Sequence, residues 1–224
     1  SVNDQLLDRA IKHQIYIEQF GKGTADKIIR ELVVAEQELL GKLASRLVKA
    51  QQLGIDTGPL TTKRLASITA GFGEIIDNKY SSIYNERLKP QLIALSRGES
   101  KYIAKELQSV LPIDVNTVMP SPDRLRTIVT SRPFEGAVMS DWWSKTGVDE
   151  RNQITRAVRQ GLIQGETTPE IMSRLTNPKG VFAKSHHRAE AVVRTAVNHV
   201  STTSAMETMR GSNVVKGYEI VATL

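Results

Sequence analysis

The strongest constraint on the fold is a row of aliphatic residues at helical spacing, which begins after Thr24 and extends over roughly seven turns. The row consists of Ile28, Ile29, Leu32, Val33, Leu39, Leu40, Leu43, Ala44, Leu47 and Val48. It skips one turn at Glu36. A helix with one apolar face gains most of its stability by packing that face on other elements. Aromatic residues make up only 5% of the chain, so Leu, Ile, Val and Ala must build the core, and this favours further helices.

Three more helices are predicted before residue 112. The first helix of the chain is expected to begin at Asn3 or Asp4, and the helix with the aliphatic row is the second. The third is expected to run from Thr61 or Thr62 through Ile83, and the fourth over residues 99–111. The predicted breaks are Gly21 with Gly23, Gly54, and Gly58 with Pro59. Pro90 is expected to kink or split the helix that contains it. Gly71 and Gly73 weaken the middle of the third helix, where we expect a bend or a close helix contact.

Residues 112–123 are the predicted linker, because PIDVNTVMPSPD contains three prolines and no helical period. They separate a helical bundle over residues 1–111 from a C-terminal domain over residues 124–224. The elements expected after the linker are helices over 123–131, 135–146 and 149–164 (capped by Asp149), a short helix capped by Thr168, a loop over 177–185, a helix over 186–209 and a strand over 214–224.

The predicted fold class is mainly α, with an N-terminal bundle of long helices followed by the start of a small α+β domain. A single strand is not stable alone. Either an earlier segment supplies its partner, or residues 1–224 are the ordered part of a longer protein whose last domain is entered only partway, and we favour the second.

Composition excludes several classes of protein. Hydrophobic residues (40%) and charged residues (24%) are too evenly balanced for a disordered chain. The absence of cysteine excludes a disulfide framework, a cysteine-ligated metal site and thiol catalysis in this stretch. No apolar run approaches the ~20 residues that a membrane span needs, so we expect no membrane partner.

Sequence motifs for catalysis are missing. The chain has no phosphate-binding glycine loop, no HExxH and no GxSxG. His187 and Glu190 lie one helical turn apart and could hold a metal, but two further ligands at fixed spacing are missing, and both are explained as surface residues. We therefore predict no catalytic residue, no metal site and no cofactor, and expect a protein that is not an enzyme. An enzyme whose active site lies beyond Leu224 remains an alternative.

The net charge of +6 is distributed unevenly along the chain. Residues 121–224 carry 14 basic and 10 acidic side chains, a net charge of +4. The candidates for DNA or phosphate contact are Arg151, Arg156, Arg159, Lys184 and Arg188. The alternative is a solvated basic surface, because the sequence lacks the clustered basic stripe of a dedicated nucleic-acid-binding protein.

Trp142 and Trp143 are the only tryptophans, and they are adjacent. Neighbouring helical positions differ by about 100° in direction, so one ring is expected in the core and the other partly exposed. Because tryptophan is enriched at protein–protein hot spots, the pair is also a candidate protein interface.

Residues 188–206 (RAEAVVRTAVNHVSTTSAM) predict a helix whose apolar face contains only Ala and Val, so that a neighbour can approach closely. VRTAVNHVSTTSAM, followed by VVKGYEIVATL, resembles the head-morphogenesis domain of tailed-phage minor head proteins of the Mu F type. Members of that family carry a VRTAVNHV-like helix and a GY-x-x-VATL-like strand. In the family this strand runs into a D-x-R-T segment and a cysteine, which this chain lacks. NDQLLDRAIKHQIYIEQF and AVRQGLIQGETTPEIMSRL also look similar to segments of these proteins.

The resemblance implies a minor capsid protein of a tailed phage. Such a protein binds portal and capsid proteins at the portal vertex inside the head, assists head assembly and takes part in DNA packaging or delivery. The implied location is the virion, with the host cytoplasm during assembly. A second hypothesis, from the charge, is a cytosolic non-specific DNA-binding protein that uses the basic C-terminal half.

Overall fold

The computed structural model describes residues 2–52, 62–110 and 115–216. Its α-helices are α1 Val2–Gln52, α2 Thr62–Thr69, α3 Phe72–Ile83, α4 Lys89–Val110, α5 Pro122–Thr130, α6 Met139–Ile163, α7 Thr168–Thr176 and α8 Val181–Arg210, with a π-helical turn at Tyr84–Leu88. The prediction of a mainly α fold is confirmed.

The predicted α+β domain is not supported by the structure. Over the described ranges the chain forms no β-strand, and only two isolated bridges occur, Thr117 with Ser212 and Phe134 with Ala137. Residues 214–216 of the predicted strand are irregular, and residues 217–224 lie outside the described residues. The predicted breaks at Gly54 and at Gly58 with Pro59 also lie outside them.

The first two predicted helices are one helix, because α1 continues through Gly21 and Gly23. The buried row stays in phase across both glycines, from Ile17 to Ile28. Packing of this row outweighs the penalty of about 1 kcal/mol that each glycine imposes on a helix. At Gly21 the α1 backbone lies close to α8, since a Cβ there would be 3.6 Å from Val197.

The bend expected at Gly71 is a complete break between α2 and α3. Gly71 adopts a left-handed conformation, with φ 75°, which glycine tolerates at little cost. The guanidinium of Arg46 on α1 donates to the backbone carbonyls of Ile68 (3.0 Å) and Ala70, and so satisfies carbonyls at the end of α2.

Pro90 was expected to kink or split its helix, and it does not split it. It is the second residue of α4, and the wider π-helical turn lies directly before that helix. A proline lacks the N–H donor and clashes with the preceding turn, and a π-helical turn is one way in which a helix accommodates this. The helix predicted over 99–111 is therefore the second half of α4.

The two helices predicted over 135–146 and 149–164 are also one helix, α6. Gly147 does not end it, because a Cβ at this position would lie 2.9 Å from the ring of Tyr80, and glycine here permits close packing of α6 on α3. Asp149 is therefore in the middle of a helix and is not a cap.

Two further boundaries differ from the prediction. Thr167 rather than Thr168 caps α7, and the Glu170 carboxylate accepts a hydrogen bond of 2.7 Å from the Thr167 backbone N–H. The loop predicted over 177–185 ends at Gly180, because α8 begins at Val181. At Gly180 a Cβ would lie 2.6 Å from the backbone oxygen of Leu175, so the turn requires glycine.

The chain divides into two compact units, each assembled from separate stretches of sequence. The first unit comprises residues 1–23, 88–139 and 194–224. Here α4 packs on α5, and the core contains Ile17, Leu92, Leu95, Leu125, Ile128, Val129, Ala196, Val197 and Val200. The described part of the proline-rich segment belongs to this unit, where Val115 is buried and the Val118 N–H donates to the carbonyl of Gly211.

The second unit comprises residues 24–87 and 140–193. Its core contains Ile28, Leu32, Leu39, Leu43, Leu47, Phe72, Ile76, Ile83, Trp143, Ile154, Val158, Ile171, Leu175, Ala189 and Val193. Both units differ from the predicted division into 1–111, 112–123 and 124–224, because helices that are far apart in sequence share each core. None of the helices in the described ranges contains an apolar stretch long enough to cross a membrane.

Candidate functional site

The five basic residues predicted to contact DNA lie on α6 and α8 in the second unit, and two of them are engaged within the protein. The Arg151 guanidinium donates to the Asp77 carboxylate at 2.8 Å. Arg188 lies 3.6 Å from the Asp149 carboxylate. These two arginines are therefore tied to separate acids and do not form a common site.

Arg156, Arg159 and Lys184 are exposed, and none of their side chains forms an ion pair with the described part of the chain. Arg156 and Arg159 lie on the solvent-facing side of α6, together with Asn152 and Gln160. The structure thus leaves a small polar and basic face on α6, free to contact an anion.

The two tryptophans have different environments. Trp143 is 1% exposed, and its indole Nε1 donates to the backbone carbonyl of Tyr80 at 2.8 Å. Trp142 is half-buried, and the Lys145 ammonium lies 5.8 Å from the centre of its ring. Trp143 is a core residue rather than an interface residue, and only Trp142 retains a surface that a partner could contact.

A buried polar cluster that the sequence did not indicate lies in the core of the second unit, where α1, α3, α6 and α8 each contribute one residue. The Tyr80 hydroxyl donates to the Glu150 carboxylate at 2.6 Å. The His186 Nε2 donates to the Glu36 carboxylate at 2.8 Å. Glu36 is 6% exposed and Glu150 is 2% exposed. We call these four residues the core cluster.

Burial perturbs the protonation of the core cluster. It raises the pKa of Glu150 to about 7, with a further contribution from the negative charge of Glu36, while the Tyr80 hydrogen bond opposes the shift. Burial and the Glu150 charge raise the pKa of Tyr80, which stays a hydrogen-bond donor. The hydrogen bond to Glu36 raises the pKa of His186, so that this imidazole favours its charged form.

The space beside the two carboxylates of the core cluster is small. The cavity beside Glu36, Tyr80 and Glu150 has a volume of about 10 Å³, which is the lower limit for a single water molecule. Leu32, Leu39 and Ile76 also line it. This cavity is too small for a substrate, and because burial raises the pKa of Glu150, the protonation of Glu150 is linked to the packing of the four helices.

A row of polar contacts, which we call the seam, joins α4 to α8 in the first unit. Ser96 contacts Ser204 at 2.7 Å, Ser201 donates to Glu99 at 2.8 Å, and Thr208 donates to Ser100 at 2.9 Å. His13 on α1 also binds the Glu99 carboxylate, at 2.9 Å, and stacks on Tyr102 at a centroid distance of 3.7 Å.

The seam contains a serine, a histidine and a carboxylate, but in the wrong order for a catalytic triad. In a triad the histidine lies between the nucleophile and the acid, and takes the proton of the hydroxyl. Here Glu99 lies between Ser201 and His13, so the imidazole does not reach the hydroxyl proton. The seam fixes the register of α4 and α8.

Sequence reasoning missed Glu36 because it was treated as a gap in the apolar row of α1. Its position gave a signal, since it follows Leu32 by four residues and precedes Leu39 by three. A charged residue in phase with a buried row has to find a partner inside. His187, considered as a metal ligand, is exposed on α8, and across the described ranges no three acidic or histidine side chains are grouped so as to hold a metal ion.

Comparison of the chain with protein-family models, with curated proteins and with solved structures finds no match.

Proposed function

We propose that this chain is a minor head protein of a tailed phage. In this role it binds the portal and capsid proteins at the portal vertex inside the head and assists head assembly, with a further part in DNA packaging or delivery. The observation that carries the proposal is the resemblance of VRTAVNHVSTTSAM and the following segment to the head-morphogenesis family.

The packing of the motif is consistent with its pattern of small residues. Ala189, Val193, Ala196, Val197 and Val200 are 0–1% exposed, so the Ala/Val face is a close-packing surface. On the other side of α8, Thr195 and Asn198 are exposed. The motif therefore combines a structural face with a polar face that a partner can contact.

A second observation supports a protein partner. The N-terminal part of α1 carries Leu7, Ile11 and Ile15 at four-residue spacing, and they are 59%, 49% and 49% exposed. We call these three residues the α1 row. Large exposed apolar residues in one row are typical of protein interaction sites. We propose that the portal protein covers the α1 row.

The test is co-elution of the chain with purified portal rings of the same phage in size-exclusion chromatography. We expect the parent chain to co-elute, and the variant Ile11→Glu/Ile15→Glu to lose co-elution while its melting temperature is unchanged. The matched control is Val34→Glu, an equally apolar and exposed position (63%) in the second-unit part of α1, which should still co-elute. Failure of the parent chain to co-elute would refute the portal assignment.

The alternative function is a cytosolic, non-specific DNA-binding protein that uses the basic C-terminal half. Arg156 and Arg159 on α6 favour it, because both are exposed and neither forms an ion pair with a described residue. Retention of the chain on heparin at physiological salt, together with no co-elution with portal rings, would support this function over the first.

A further inference from the structure

Three arginines converge on one carboxylate in the first unit. Arg124 on α5 donates from Nε and Nη2 to Oε2 of Glu207, at 3.2 and 3.1 Å. Arg132, which follows α5, and Arg210, the last residue of α8, each donate from Nη1 to Oε1, both at 3.1 Å. We call these four residues the Glu207 cluster.

The Glu207 cluster has an excess of positive charge. Its single carboxylate side chain is 9% exposed, whereas the side chains of Arg124, Arg132 and Arg210 are 58%, 41% and 57% exposed. Three guanidinium groups and one carboxylate give a local charge of +2, and the charge faces solvent. Burial alone would raise the pKa of Glu207, but Arg124 and Arg132 hold it below its usual value, so the carboxylate stays ionised.

Tying α5 to α8 does not require three arginines. The two hydrogen bonds of Arg124 to Oε2 of Glu207 already join the two helices. Arg132 and Arg210 add two like charges at the other oxygen, Oε1. Like charges held together repel one another, and a second anion on the exposed side relieves that repulsion. Each guanidinium has five N–H donors, so most donors of the cluster remain available to such an anion.

We propose that the Glu207 cluster is a binding site for the phosphodiester backbone of DNA. Guanidinium groups match phosphate oxygens in a planar, bidentate geometry, and contacts of this kind position a nucleic acid without reading its sequence. Glu207 acts as a positioning residue that holds the three guanidinium groups side by side. The inference deepens the proposed function, since a head protein meets packaged DNA, and it assigns the contact to residues other than those on α6 and α8 that the sequence suggested.

The experiment compares two double variants that remove the same charge from different places. Arg124→Gln/Arg210→Gln leaves Arg132 on Glu207, so the buried carboxylate keeps a partner. The matched control is Arg156→Gln/Arg159→Gln, which removes two exposed arginines of α6 that form no ion pair with described residues. Binding of a short fluorescent DNA duplex is measured by anisotropy over a series of salt concentrations.

We expect the negative slope of log affinity against log salt to become shallower by about 2 for the cluster variant, because each phosphate contact contributes about 0.9 to its magnitude. At about 0.1 M salt this corresponds to a loss of affinity of roughly 10- to 100-fold. The α6 variant should bind as the parent does. Equal binding by the cluster variant and the parent would overturn the proposal, whether or not the α6 variant is impaired.

Two further measurements separate this site from a purely structural ion cluster and from a small-anion site. Glu207→Gln removes the carboxylate that holds the three guanidinium groups side by side, so DNA affinity should fall several-fold although the site becomes more positive. Unchanged or tighter binding would contradict the proposal. Inorganic phosphate should compete no better than sodium chloride at the same ionic strength. If it displaces DNA at low concentration, the cluster binds free phosphate and the DNA assignment is wrong.

The result of the DNA-binding experiment is independent of the result of the portal test. Both double variants should co-elute with portal rings as the parent does. Failure of every chain to co-elute would refute the proposed function and leave the DNA result standing. DNA binding by the cluster variant that equals that of the parent would refute only the site.

Discussion

Replacement of Glu150 by glutamine tests the physical account of the core cluster. Glu150 lies on α6, is 2% exposed and accepts a 2.6 Å hydrogen bond from the Tyr80 hydroxyl. Glutamine has nearly the same size, and its amide oxygen can accept the same hydrogen bond. The substitution therefore removes the titratable charge with little change in packing.

The magnitude follows from the shifted pKa. Burial raises the pKa of Glu150 from 4.5 to about 7, so the folded protein holds this proton more tightly than the unfolded chain does. The contribution of Glu150 to stability is therefore most favourable below pH 4.5 and declines as the pH rises to 7. One pKa unit corresponds to 1.36 kcal/mol, so the full decline is about 3 kcal/mol. This loss of stability with rising pH is opposite to the pH dependence of a salt-bridged surface carboxylate.

The assay is urea denaturation of the parent chain and of Glu150→Gln at pH 5 and at pH 8. Between these two values we expect the free energy of unfolding of the variant to gain about 2–3 kcal/mol relative to the parent. His186 titrates in both proteins, so most of its contribution cancels in the difference. The matched control is Glu86→Gln in the π-helical turn, which makes the same substitution at an exposed position.

Two results would refute this reasoning. A difference between variant and parent that stays constant from pH 5 to pH 8 would mean that Glu150 has the same pKa in the folded and unfolded states. A variant that is less stable than the parent at pH 8 would mean that the Tyr80 hydrogen bond more than compensates for burying the charge.

Four further substitutions test the pair of His186 and Glu36 in the core cluster and the packing of helices and turns elsewhere. His186→Ala leaves the buried Glu36 carboxylate without its partner and should lower the free energy of unfolding in urea by about 3 kcal/mol. Because the pKa of His186 is raised in the folded state, the loss should be larger at pH 6 than at pH 9, and equal losses would contradict the ion pair. Ala196→Leu should cost about 1–3 kcal/mol, since Ala196 is 0% exposed, and an unchanged melting temperature would place it at the surface. Gly211→Ala should cost a similar amount, since its Cβ would lie 2.2 Å from the backbone oxygen of Val118, and a fully stable variant would exclude that contact. Gly23→Ala should raise stability by about 0.5–1 kcal/mol in thermal denaturation, because the position is inside α1 with no atom within 4 Å of the new Cβ, and a loss would show that the helix ends there.

Local pattern predicted the helical segments better than it predicted their ends. The Ala/Val face predicted for residues 188–206 is buried at Ala189, Val193 and Val200 of α8, because a helical period depends only on neighbouring residues. Glycine was a poor guide to helix ends: Gly21 and Gly147 lie inside helices, whereas Gly71 separates two. A glycine ends a helix only when packing does not hold the chain in the helical conformation on both sides.

The candidate sites depended on contacts that no local pattern contains. Arg151 and Arg188 looked free in the sequence, but the fold brings an acid to each of them. The Glu207 cluster unites Arg124 and Arg132 with a carboxylate more than 70 positions away in the chain. The distance along the sequence hides such a site from an analysis of motifs.

Apolar spacing and helix propensity act over a few residues, so they sufficed to predict a mainly α protein with long amphipathic helices. Tertiary structure alone decided which helices share a core, why Glu36 is buried, and which arginines meet at Glu207. The physical reason is that burial and ion pairing depend on groups brought together by folding. Their energies belong to the assembled core, and no single segment of the chain carries them.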